Sequence, residues 1–98
     1  MPREGLRVTV HRIEGHCPVY RQGENFFLDQ GYILAPGQGT PICLHSLASL
    51  LPYYVALFHG VAPTAIGLAR EGTCAYVQCL DPCEITGGGT VTFRIERE

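Results

Sequence analysis

The chain has 98 residues, a net charge of −2 and no lysine, its basic residues being seven arginines. That length makes a single domain, 1–98, with room for one modest core. Hydrophobic residues at 46% against 16% charged weigh against disorder, and no Lys/Arg cluster marks a face for nucleic acid.

The opening "MPREGLRVTV" holds no apolar region of the kind a secretory signal needs. From Leu6 to Ile13 the residues alternate. Leu6, Val8 and Val10 point one way, Arg7, Thr9 and His11 the other, as in a half-buried strand. "EGHCPVYRQGEN" reads as loop, "NFFLD" as a short second strand, "YIL" at 32–34 as a third, and "APGQGTP" as loop again. A helix is expected next, with Thr40 as N-cap and Pro41 in its first position, where a missing N–H costs nothing. At 100° per residue, Cys43, Leu47, Leu50, Leu51, Tyr54, Leu57 and Phe58 share one face, with His45, Ser49, Pro52 and Ala56 opposite. Pro52 should kink or split this helix, and Gly60 can end it in a left-handed cap. "APTAIGLARE" reads as a short helical turn. "CAYVQC" at 74–79 is a strand with Ala75, Val77 and Cys79 inward, and "TVTFRIE" at 90–96 is the last, with Val91, Phe93 and Ile95 inward. The expected fold is α+β, a small, largely antiparallel sheet packed against one main, Pro-kinked helix.

Charge is placed unevenly: from Gln30 to Ala69 there is no Asp, Glu, Lys or Arg. Either part of this segment is buried against another chain as well as in the core, or a well-covered helix carries neutral polar residues outside. The first alternative implies a homo-oligomer or a protein partner. "LASLLPYYVALF" is too short to span a bilayer and contains a proline, so no membrane partner and a cytoplasmic location are expected. In a reducing compartment the five cysteines are thiols or metal ligands before they are disulfides.

Five blocks cover nearly the whole chain: "GHCP" at 15–18, "GENF" at 23–26, "CLHSLASLLPYYVAL" at 43–57, "VQCLDP" at 77–82 and "TGGGTVTFRIER" at 86–97. In these the chain resembles a family of small prokaryotic proteins of about this length with no established activity. The resemblance implies one compact cytoplasmic domain. It points to Cys17, Cys43 and Cys79 as the cysteines inside family blocks.

A zinc or iron site takes about four thiolate or imidazole ligands in a tetrahedron. Here Cys79 and Cys83 form a local pair, and Cys17 and Cys43 could join them at one end of the core. His45 lies about 200° around the helix from Cys43, so those two should not share an ion. Cys74, five residues from Cys79, faces the other side of the strand. The plainer alternative is that Cys43 and Cys79 are small buried hydrophobes. Cys43 in a first helical turn, with His16 beside Cys17 as a base, would suit thiol chemistry. Gly87-Gly88-Gly89 leads into a strand and the chain lacks a lysine, so a phosphate loop is not expected and a turn is. Asp81-Pro82 reads as turn initiation. Tyr53 and Tyr54 should divide between the outer margin and the core.

No assembled set of acid, base and nucleophile appears, so a lone enzyme is the least favoured reading. The favoured one is a non-catalytic accessory or interaction module that self-associates. The alternative is a cysteine-ligated metal (Zn or Fe) or thiol-redox protein using Cys17, Cys43, Cys79 and Cys83.

Overall fold

The computed structural model describes residues 5–37 and 41–97. Five strands form one antiparallel sheet: β1 (Gly5–Gly15), β2 (Asn25–Asp29), β3 (Ile33–Pro36), β4 (Ala75–Gln78) and β5 (Gly89–Arg97), in the order β3-β2-β1-β5-β4. Three helices, α1 (Leu44–Leu50), α2 (Tyr54–Phe58) and the single turn α3 (Cys83–Thr86), accompany it, with a 3-10 turn at Pro63–Ile66. The molecule measures 39 × 31 × 19 Å, and its least dimension suits one sheet and one helical layer. The fold is α+β, as the strand and helix patterns imply.

Alternation decides which sheet face is covered. Leu6, Val8, Val10, Phe26, Leu28, Ala75, Val77, Val91, Phe93 and Ile95 are buried on one face, together with Leu50 and Leu57 from the helices. Tyr20, from the loop after β1, joins them, stacked on Phe26 (centroids 6.1 Å apart) and edge-on to Phe93 at 5.5 Å. The opposite face carries polar side chains and an edge-to-face contact of His11 with Tyr76 at 5.3 Å.

The pairing of β1 with β5 shifts between Val10 and Arg12, which is a β-bulge. Below it the even-numbered residues of β1 face the core; above it Ile13 does, paired with Val91. The bulged ends meet at Gly15 and Gly89. Both glycines are required. Gly15 has φ +80°, and a Cβ there would overlap Cys83 Sγ; a Cβ on Gly89 would stand 2.7 Å from the carbonyl carbon of His16 and 2.8 Å from the Cys17 nitrogen.

The main helix differs from its sequence pattern at both ends. Pro41 is not helical, α1 begins at Leu44, and its N-cap is Cys43 in extended conformation (φ −76°, ψ 130°); Thr40 lies outside the described residues. Pro52 divides the helix into α1 and α2, since it cannot donate to the Ala48 carbonyl. Leu51, the last residue before the break, keeps helical angles (φ −58°, ψ −37°) and stands 55% exposed. Gly60, at φ +88°, follows α2 as the left-handed position expected.

Candidate functional site: a cysteine-lined cleft

The loop after β1, the start of α1 and the ends of β4 and β5 come together at one end of the core. They enclose a cleft of about 260 Å³. Cys17, Cys43 and Cys79 all line it, with His45 and Asp81. Each arrives by a different element. Cys17 is carried past the Gly15–Gly89 pair, Cys43 caps α1, and Cys79 follows β4 on its inward face.

The cleft wall is fixed by a closed hydrogen-bond ring. Cys43 N–H donates to Tyr20 Oη at 2.9 Å, Tyr20 Oη lies 2.8 Å from Ser46 Oγ, and Ser46 Oγ donates to the Cys43 carbonyl at 2.6 Å. A carbonyl can only accept, so the Ser46 proton is committed there. The Tyr20 proton therefore goes to Ser46 Oγ. Every group in the ring is satisfied, which a fully buried Ser46 and a nearly buried Tyr20 require. Burial pushes the Tyr20 hydroxyl above its usual pKa against the opposing pull of its bonds to Ser46 and Cys43. Tyr20 is therefore a neutral structural hydroxyl and not a general base.

The thiols differ in what they already do. Cys79, buried, accepts the Val91 N–H at 3.2 Å and reaches the Gly89 carbonyl at 3.6 Å, so it replaces a backbone partner at the sheet end. Cys17 accepts the Tyr20 N–H at 3.3 Å. The Cys43 sulfur has no hydrogen-bond partner among the described residues. Cys83 does not line this cleft. Its half-buried thiol donates to the Gly88 carbonyl at 3.3 Å, against Gly15. It does not join Cys43 in the cleft and remains partly exposed. Cys74, half-buried before β4, does not line the cleft either. All five cysteines are free thiols. Among the described residues, no three His, Cys, Asp or Glu groups stand together as a metal site would hold them.

Two expectations change. His45 shares the cleft with Cys43, because Cys43 is extended and helical angles do not apply between them. His16 does not line it; its side chain is exposed, and its N–H bonds the Gly88 carbonyl at 3.2 Å. Sequence reasoning also missed Tyr20 and Ser46. Nothing local marks either as core: the tyrosine lies in a loop, and the serine's place beside the cap follows only once Cys43 is the cap.

The loop from Asp81 to Thr90 ties itself together. Thr86 Oγ1 donates to the Asp81 carboxylate and accepts from Gly88 N–H at 3.1 Å, and Thr90 Oγ1 donates to the Asp81 carbonyl at 2.6 Å. Asp81-Pro82 and the glycines are a turn, with the short α3 inserted and Gly87 left-handed at φ +75°.

A second surface matters. Leu28, Tyr32, Ile33, Leu34, Leu47, Leu51 and Tyr54 line a groove of about 120 Å³ between β3 and the helices. Tyr32 is 76% and Leu34 43% exposed. β3 ends the sheet on that side, and no backbone bond covers its free edge among the described residues. The other edge differs: Tyr76 N–H donates to the Leu68 carbonyl at 2.8 Å, so the preceding chain shields β4.

Among the described residues no helix is long and apolar enough to cross a membrane. In comparisons with known proteins, no family model, no curated protein and no solved structure matches the chain.

Proposed function

We propose that this protein is a non-catalytic cytoplasmic interaction module that pairs with a second copy of itself through β3 and the adjoining groove. The observation that carries this reading is an open, apolar sheet edge inside a stretch without charge. Tyr32, Ile33 and Leu34 stand exposed beside Leu51, and no Asp, Glu, Lys or Arg occurs from Gln30 to Ala69. An unpaired edge is a template for another strand. A two-fold axis would lay one β3 antiparallel to the other and bring the same uncharged patch against itself. A charged partner would lose solvation there with nothing to pair against, whereas a second copy brings the same lack of charge.

Light scattering and sedimentation equilibrium test this. The wild-type chain should have twice the chain mass, and Leu51→Arg, at an exposed turn, should have the chain mass with an unchanged circular dichroism spectrum. A wild-type protein that is monomeric at tens of micromolar would overturn the reading.

The cleft favours a second reading, not exclusive of the first. Three thiols from three separate elements line one enclosed space, which supports a cysteine-centred metal or redox site. A thiophilic metal bound near-stoichiometrically by anaerobically purified protein, lost in Cys17→Ser or Cys43→Ser, is its expected signature. Metal-free protein that is fully folded and whose thiols undergo no reversible oxidation would remove it.

A further inference from the structure

Of the thiols in the cleft, Cys17 and Cys43 are the two not already built into the sheet. Cys79 substitutes for a backbone partner between Gly89 and Val91, and Cys83 is held outside the cleft by the Gly88 carbonyl. Cys17 and Cys43 flank Tyr20 in the fold. The Tyr20 N–H is on the Cys17 sulfur at 3.3 Å, and the Tyr20 hydroxyl holds the backbone of Cys43 at 2.9 Å. Both thiols are half-buried and line the same cleft, beside Pro18, Val19 and Val91.

Ligand number decides which ion suits such a pair. Structural zinc takes about four ligands. Here even three potential ligands do not converge among the described residues. Drawing Cys79 into a tetrahedral site would strip the Val91 N–H of its acceptor inside the core. Monovalent copper asks for less. It is soft, thiolates select it, and two sulfurs on opposite sides satisfy it. The complex of Cu⁺ with two thiolates carries one net negative charge, less than a four-thiolate zinc site would bring into apolar walls.

We propose that Cys17 and Cys43 form a two-thiolate site for monovalent copper, with Tyr20 as the positioning residue between them. The proposal rests on the cysteine-centred reading of the cleft. Binding forms two Cu–S bonds and releases the two thiol protons to solvent. No electron is transferred. The N–H donated to the Cys17 sulfur can be kept in the bound state, and the Tyr20–Ser46 ring holds the Cys43 backbone while its sulfur turns to the metal.

The full chain, reduced and under nitrogen, is titrated against Cu(I) presented as its bicinchoninate complex, and separately with Zn(II). Stoichiometry is read by elemental analysis after gel filtration, and circular dichroism checks that each variant is folded. One Cu(I) per chain is expected. Affinity should fall by more than about tenfold, beyond the loss of an outer-shell partner, in Cys17→Ser and in Cys43→Ser. It should stay within about threefold of wild type in Cys74→Ser and Cys83→Ser, since neither lines the cleft. Copper held equally well by the Cys17 and Cys43 variants overturns the assignment. One Zn(II) per chain, lost in Cys79→Ser as well, overturns the copper pair while keeping the metal reading. Failure to take up either ion overturns the copper pair and leaves the cleft to thiol redox chemistry alone.

Discussion

Tyr20, Ser46 and Cys43 show how much of the cleft depends on single polar atoms. Tyr20→Phe leaves the Cys43 N–H without its acceptor and Ser46 Oγ without its donor. That should cost about 1–3 kcal/mol of stability in urea denaturation. Ser46→Ala should cost a similar amount, and the double variant less than the sum, because both changes break one ring. The ring also sets an alkaline limit. The folded Tyr20 pKa lies above the unfolded value of about 10. Its contribution is therefore complete below pH 10 and lost as pH rises through the folded value. Tyr20→Phe should flatten that part of the alkaline stability profile; an unchanged profile would show that Tyr20 does not set it. At this scale the sequence was partly legible. The inward placement of Cys79 follows from strand alternation, since a period of two fixes its face. Tyr20 and Ser46 were not legible, because their burial arises from a contact between residues 26 positions apart.

Elements were read best where a period governs them. β1, β2, β4 and β5 follow alternation, and the helix break follows from a proline lacking its N–H. The start of α1 was misplaced for a tertiary reason. Tyr20 takes the Cys43 N–H, so the chain stays extended through Cys43, and the Thr40-Pro41 signal does not set the boundary. The turns carry a prediction of their own. Gly15 and Gly87 both have positive φ, but only Gly15 is crowded, by Cys83 Sγ and the Gly88 carbonyl. Gly87→Ala should cost about 1 kcal/mol for backbone conformation alone. Gly15→Ala should cost clearly more, in the range of about 1–3 kcal/mol or above. Equal melting temperatures for the two variants would contradict the close approach of β1 to the β5 loop.

For the whole molecule, the uncharged segment from Gln30 to Ala69 was visible in the sequence as a question with two answers. The structure distributes it unevenly. Leu50 and Leu57 are buried, while Tyr32, Leu44 and Leu51 are exposed, so covering the core does not consume the apolar surface. If that surface pairs two copies, stability must depend on mass action. The melting temperature of the wild type should rise with protein concentration, and that of Leu51→Arg should not. A wild-type melting temperature constant over a hundredfold dilution would speak against pairing.

The one-residue shift in β1 near His11 has a consequence for how this chain tolerates change. Up to Val10 the strand keeps one phase and beyond Arg12 the other, so the bulge works as a gear between two halves of the molecule. The lower half aligns Leu6, Val8 and Val10 with the core; the upper half aligns Ile13 and delivers Cys17 to the cleft. Substitutions on the strand leave that meshing intact. Deleting His11, the extra residue, would leave Val10, Arg12 and Ile13 opposite Phe93, Thr92 and Val91 in one continuous alternation, whereas a single deletion elsewhere in the strand would put one half out of step with the other.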